Sequence, residues 1–261
     1  MKKREQQSRS RRKRRGEPQI SRIARISDAG RSSRGAKVRG TIDQAVVLLS
    51  GGMDSATLVH YVKKSLGVPV VYTVSFAYGQ KHARELAMAR WQAESAGVTE
   101  HIEADLSCFA RLTAGKSALT DAAIRVPDLA EIGAADRRQP VTYVPNRNMV
   151  LLALAAACAE ARGVPDVFFG AQKQDEYGYW DCTTEFVERL NAALGLNRGR
   201  RVRVHAPFAA LRKADVLRLG LSLGVDYGHT WSCYRGGRGP CGACPSCVER
   251  ESAFREVKGT P

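Results

Sequence analysis

Five consecutive apolar residues, Ala45-Val46-Val47-Leu48-Leu49, run straight into Ser50-Gly51-Gly52-Met53-Asp54-Ser55, and this junction restricts the fold more than any other feature of the chain. A short β-branched run that is apolar on both faces suits a central strand of a parallel sheet, which needs helices over both of its faces. The adjacent glycines stop the strand. A helix is then expected from about Asp54 to Leu66, closed by Gly67 and Pro69, with a second buried strand over 70–76. That is a β-α-β unit. The alternation predicts further helices over 82–96, 147–161, 183–194 and 213–223, and short strands over 101–104, 166–170 and 202–205, with an irregular stretch up to about Pro140. The expected class is α/β: one parallel sheet with helices on both faces, followed by a small cysteine-rich C-terminal segment.

In such a sheet ligands bind beyond the carboxyl ends of the strands, so the loop after the first strand is the place to look. Two glycines let the backbone approach an anion with no Cβ in the way. The hydroxyls of Ser50 and Ser55 can donate to oxygens, and the N-terminus of the following helix aims unpaired N–H groups at the same point. A phosphate suits the loop, and the alternative is an ordinary tight turn with Asp54 as helix cap. The chain contains neither G-x-x-x-x-G-K-[ST] nor G-x-G-x-x-G, which removes kinase-like and dinucleotide-dependent dehydrogenase readings.

A second constellation is Cys233-x7-Cys241-x2-Cys244-x2-Cys247, inside SCYRGGRGPCGACPSC. Four thiolates satisfy a tetrahedral Zn²⁺, and the interspersed glycines and prolines permit the tight turns that gather them. No coordination position stays open, so the expected role is structural. An iron–sulfur cluster and a redox dithiol are the rival readings. His229 is surplus to the ligand set. Of the remaining cysteines, Cys108 and Cys158 read as structural, and Cys182 lines a pocket, acts transiently as a nucleophile, or packs in the core, the last being favoured.

The formal charge of +15 looks like a nucleic-acid signature until it is divided. Residues 1–40 hold 15 Lys and Arg against Glu5, Glu17 and Asp28, which leaves only +3 for the other 221 residues. The basicity belongs to an arm over 1–40 whose composition predicts disorder, and any nucleic-acid contact is expected to go through that arm alone. No apolar run reaches 18 residues, so no membrane partner and a cytoplasmic location are expected. The domain layout read from these features is a basic arm over 1–40, a phosphate-binding α/β domain over 41–228, and a four-cysteine zinc segment over 229–261.

The strand-SGGMDS-helix junction resembles the pyrophosphatase loop of the N-type ATP pyrophosphatases, whose fold is of the adenine nucleotide alpha hydrolase kind. With the cysteine cluster, three further stretches narrow the resemblance to the 7-cyano-7-deazaguanine synthase family over roughly residues 44–256. Ser75-Phe76-Ala77-Tyr78-Gly79-Gln80-Lys81-His82 is similar to SFDYGQRH, Tyr143-Val144-Pro145-Asn146-Arg147-Asn148 to FVPGRN, and Gly178-Tyr179-Trp180-Asp181-Cys182 to GYPDCR. The resemblance implies an ATP- and Mg²⁺-dependent ligase that turns 7-carboxy-7-deazaguanine and ammonia into a nitrile through an adenylated intermediate, acting as a homodimer. It implies ATP contacts along Leu49, Ser50, Gly51, Gly52, Met53, Asp54, Ser55, Ala56, Thr57, Leu58 and Val59. Substrate or catalytic contacts are implied for Phe76, Tyr78, Gln80, His82, Arg147, Asn148, Asp175, Tyr179, Asp181 and Cys182, and zinc at Cys233, Cys241, Cys244 and Cys247. Each has a plainer alternative: Arg147 as a cap for a neighbouring helix, Asp181 as N-cap of the helix from Thr183, Phe76, Tyr78, Tyr179 and Trp180 as packing. The chain departs from the family pattern at Asn146, Trp180 and Thr183. These departures leave open a related ligase that stops at an amide with another amine, while the basic arm and the cysteine segment leave open a tRNA-thiolating enzyme and an RNA-binding zinc protein.

Overall fold

The computed structural model describes residues 42–81, 83–133 and 139–259. The arm over 1–40 and His82 therefore lie outside the described residues. Five parallel strands form one sheet: β1 Gln44–Leu48, β2 Val70–Ala77, β3 Glu100–Asp105, β4 Asp166–Phe168 and β5 Arg203–His205, in the order β3-β2-β1-β4-β5. Val46 and Val47 are fully buried at its centre, as a strand apolar on both faces requires. The chain winds one way from β1 to β3 and the other way from β4 to β5. The order therefore reverses beside β1, and a crevice opens there at the carboxyl ends of β1 and β4.

The helices are α1 Met53–His60, continued by a π-helical turn Tyr61–Ser65, then α2 Ala83–Ala96, α3 Ser107–Leu112, α4 Arg147–Arg162, α5 Thr184–Leu194, α6 Lys213–Ser222 and α7 Pro245–Lys258. One core joins Val46, Leu48, Val74 and Val167 of the sheet to Leu152, Ala155, Ala156 and Ala159 of α4 and to Phe186 and Val187 of α5. A second core packs Met53 and Ala56 of α1 against Ala214 and Leu217 of α6 and Ala253 of α7.

Three differences from the sequence expectation have physical causes. The fourth strand ends at Phe168 because its partner β5 ends at His205, and one last bond from the Phe169 N–H to the His205 carbonyl (2.9 Å) closes the pairing. Helix α3 falls in the stretch read as irregular; of its six residues only Phe109 is buried, which leaves no apolar rhythm to detect. Helix α7 was masked by its polarity: only Ser246, Cys247 and Ala253 are buried. Ala253, Phe254 and Val257 attach it to Ala214 and Leu217 of α6, and exposed ion pairs from Glu256 to Arg212 (2.8 Å) and Arg218 (2.9 Å) flank that contact.

Candidate active site

The loop that leaves β1 turns into α1 at the point where the strand order reverses. Gly51 makes the turn at φ 80°, and a Cβ there would stand 2.2 Å from the Glu85 carbonyl oxygen and 2.8 Å from the Ala89 amide nitrogen. Only glycine lets the loop and the first turns of α2 approach so closely. Ser50 Oγ lies 3.0 Å from Ser55 Oγ, which accepts the Ser50 N–H (3.1 Å) and donates to the Gly52 carbonyl (3.1 Å). Ser75 Oγ donates to the Leu49 carbonyl from the neighbouring strand. The N-cap of α1 is Gly52, not Asp54, and it offers no side chain to the first-turn N–H groups. Those donors are placed for an anion.

A cavity of about 240 Å³ opens over this loop. Leu49, Ser50, Gly52, Met53, Asp54 and Ser55 line it, and so do Phe76, Tyr78, Gln80, Arg147, Asn148, Asp175, Tyr179 and Cys182. Gly51 shapes the loop from behind. Ala56, Thr57, Leu58 and Val59 do not reach the cavity, because they are fully buried in α1 beneath it; Thr57 Oγ1 lies 2.6 Å from the Tyr227 hydroxyl. Asp181 is likewise absent from the wall. Its Oδ2 accepts the Asn148 N–H at 3.0 Å, which caps α4, whereas α5 is capped by Thr183 Oγ1 accepting from Phe186 N–H (3.1 Å).

Arg147, the first residue of α4, donates from Nη1 to the Tyr78 hydroxyl at 3.4 Å and from Nε to Asn148 Oδ1 at 3.3 Å. Gln80 folds back on the loop after β2, accepting the Tyr78 N–H (2.8 Å) and donating to the Phe76 carbonyl (3.0 Å). The Cys182 thiol accepts from Asn148 Nδ2 at 3.2 Å; burial, then Asp175 and Asp181, push its pKa up and keep it protonated, which suits packing rather than attack. Asn146, just before α4, sits at φ 53° in the left-handed region, where asparagine is among the better tolerated L residues after glycine. Asn146→Gly is therefore expected to hold or raise the melting temperature, and Asn146→Ala to cost about 1 kcal/mol in thermal or urea unfolding.

The sequence reading missed Lys213, at the start of α6. Its ammonium reaches Asp54 Oδ2 (3.7 Å) and Glu249 Oε2 (3.1 Å) with the side chain only 11% exposed. Burial opposes this charge, but Asp54, Glu249 and Asp175 outweigh burial and hold the group protonated above the usual lysine range. Burial pushes the Asp54 carboxyl up against the pull of Lys213. It drives Asp175 up to about 6, with Asp54 and Glu249 adding to burial while Lys213 and the Gln172 N–H oppose it. Trp231, Tyr234, Glu249 and Glu85 also line the cavity and were missed. A single charged residue at a helix start carries no local sign that distinguishes it from a solvated one.

The cysteine segment meets the site through Trp231, whose N–H donates to the Gly51 carbonyl at 2.9 Å. The four sulfurs of Cys233, Cys241, Cys244 and Cys247 all lie within 4.8 Å of one another, with Cys241 and Cys247 3.9 Å apart. Tetrahedral thiolates at about 2.3 Å from an ion have edges of about 3.8 Å, so the set fits a metal. Gly236 (φ 68°) and Gly242 (φ 72°) supply left-handed turns, and Cys244 and Cys247 are presented by the first turn of α7, opened by Pro245.

The family described as Queuosine biosynthesis protein QueC matches residues 44–258. The 7-cyano-7-deazaguanine synthase of Caldicellulosiruptor saccharolyticus is 45% identical over 214 residues, which cover 82% of this chain and 92% of that protein. The one from Frankia casuarinae is 47% identical over 227 residues, covering 83% of this chain and 91% of that protein. Among solved structures, NMN synthetase from Francisella tularensis is similar over 85% of this chain and 76% of its own, with 17% identity and a TM-score of 0.47. The U34-tRNA thiolase NcsA from Methanococcus maripaludis covers 92% of this chain and 74% of its own at 13% identity and a TM-score of 0.48.

Proposed function

Because the chain belongs to the queuosine biosynthesis protein QueC family, we infer that it is an ATP-dependent C–N ligase that converts 7-carboxy-7-deazaguanine and ammonia into 7-cyano-7-deazaguanine. The observation that carries this reading is a glycine turn, set at the reversal of the sheet order, in a chain matched to the family from residue 44 to 258. Amide-forming and RNA-binding readings find no such support.

A carboxylate is a poor electrophile until one of its oxygens becomes a leaving group. In the proposed reaction the substrate carboxylate attacks the α-phosphate of ATP, and pyrophosphate departs into the loop of Ser50, Gly51, Gly52 and Ser55. Ammonia then displaces AMP to give the amide. A second activation, at the amide oxygen, leads to the nitrile. The α1 N-terminus and the Lys213 ammonium stabilise the charge that develops as pyrophosphate leaves. The planar fork of Arg147 suits the substrate carboxylate or the α-phosphate, Phe76 and Tyr78 offer faces to a flat base, and Asp175 can accept from guanine-type N–H groups. Proximity and electrostatics carry the rate.

The buried Asp54 Oδ1 has no hydrogen-bond partner among the described residues, and this oxygen beside the loop fits Mg²⁺ carried in with the phosphates, where it would neutralise their charge. Zn²⁺ suits the four-thiolate set as a structural ion. Among the described residues no helix is long and apolar enough to cross a membrane, and a cytoplasmic enzyme fits that. The reading includes a homodimer, to which exposed apolar side chains such as Val141 and, on α4, Met149 are available.

Incubation of the protein with ATP, ammonium and 7-carboxy-7-deazaguanine is expected to release AMP and yield a product with the mass of the nitrile. An amide as the end product, or no AMP, overturns the reading. Lys213→Met is expected to lower kcat about 100-fold in the same assay, the usual cost of removing one group that stabilises transition-state charge. An unchanged kcat would remove Lys213 from the phosphate machinery.

A further inference from the structure

The reaction above sheds protons from nitrogen, and none of the residues given a role so far accepts them. At neutral pH ammonia arrives mainly as ammonium, which has no lone pair for attack. Nitrile formation must also strip the last hydrogen from the substrate nitrogen. Glu85 is an unused carboxyl in the same cavity. It stands in the first turn of α2, the helix whose backbone closes on Gly51, so its main chain is fixed by the phosphate loop.

Among the described residues nothing hydrogen-bonds the Glu85 carboxyl. Among the described residues the charged and titratable groups that face it are Arg147, from the start of α4, and Tyr78, from the loop after β2. The loop over 49–52 presents no titratable side chain. Arg84, one position earlier on α2, turns away to the Arg238 carbonyl and the face of Trp231. An ion pair with Arg147 would have made Glu85 a structural strut, but the arginine instead spends its donors on Tyr78 and Asn148.

We propose that Glu85, facing the reaction cavity beside Arg147, is the general base that takes protons from the nitrogen in both halves of the reaction, an assignment that rests on the ligase reading. In the first half, ammonium gives one proton to the Glu85 carboxylate. The freed lone pair forms the C–N bond to the acyl adenylate, the C–O bond to AMP breaks with its electron pair leaving on AMP, and the surplus proton of the adduct passes to water. Glu85 returns its proton to solvent. In the second half, the adenylated amide loses one nitrogen proton to water and the other to Glu85. The electrons of that last N–H bond become the third C–N bond as the C–O bond breaks and AMP departs with its pair.

Burial pushes the Glu85 carboxyl up to about 8, with Arg147 opposing. A raised value means that the group is protonated, and unable to accept, below about pH 8. Nitrile formation should therefore climb as pH rises through that point and then level off. The test is Glu85→Gln in the full chain, followed by ATP–pyrophosphate exchange with 7-carboxy-7-deazaguanine, by nitrile yield and by the pH profile. The expected result is exchange close to wild type, nitrile formation lower by about 100-fold or more, and loss of the rise through pH 8. Glu85→Asp should recover part of that rise. Nitrile formation at the wild-type rate, or exchange lost in parallel with it, overturns the role of Glu85 alone. Wild-type protein that exchanges no pyrophosphate overturns the ligase reading and this assignment together.

Discussion

Replacing Gly51 with alanine is expected to lower ATP turnover by about 1,000-fold or more while most of the fold survives. Two costs meet at this position. At φ 80° a Cβ residue pays about 1–2 kcal/mol for the left-handed conformation. That alone would lower the melting temperature without touching chemistry. The second cost is contact: the new Cβ would lie 2.2 Å from the Glu85 carbonyl oxygen. Regaining an ordinary C···O separation of about 3.3 Å moves the loop or α2 by roughly 1 Å. A displacement of that size at reacting groups is worth about 100-fold in rate, and here it misaligns loop donors as well, each worth about 100-fold or more. Gly97→Ala separates the two costs, because Gly97 has φ 63° and open space where its Cβ would go. Gly97→Ala should lose stability and keep ATP turnover. Calorimetry and AMP release on both variants check this, and equal activity losses would show that backbone strain alone explains Gly51.

What the sequence reveals of this loop and what it hides follow from the range of the forces involved. The β1 run and the double glycine are legible because a both-faces-buried strand and a tight turn are local demands on composition. Helix α4 is legible for the same reason, its apolar residues recurring at helical spacing over Arg147–Arg162. Ala56, Thr57, Leu58 and Val59 lie outside the cavity wall for a geometric reason. A helix advances 1.5 Å and turns about 100° per residue, so residues one turn past the loop point back into the core. Lys213 reaches Asp54 only because α1 and α6 pack side by side. No local pattern reports such a meeting, and Glu85 and Glu249 were hidden in the same way. Asp181 was visible as a polar residue in a motif, but which helix it caps depends on the docking of two segments.

The cysteine segment offers the sharpest separation between metal binding and packing. Cys241 is the least buried of the four ligands in its cluster, so Cys241→Ser changes one sulfur to oxygen at a half-exposed position. If the segment were held by apolar contacts alone, such a surface change would cost within about 0.5 kcal/mol. If the four thiolates hold a metal, losing one ligand forfeits much of a binding free energy of about 10–16 kcal/mol, comparable with the whole stability of a domain. The second outcome is expected: loss of bound zinc by elemental analysis, protease cleavage within 229–258, and loss of solubility. The damage should also reach the phosphate loop. Trp231 holds the Gly51 carbonyl through its backbone N–H (2.9 Å) and the Cys233 carbonyl through Nε1 (3.0 Å), so the cysteine segment buttresses the glycine turn proposed to take the phosphates of ATP. Stripping the wild-type protein with a strong chelator should reproduce the effect, with AMP release falling as zinc is removed. A Cys241→Ser protein that stays folded and fully active would mean that the sulfurs converge for packing and hold no structural ion.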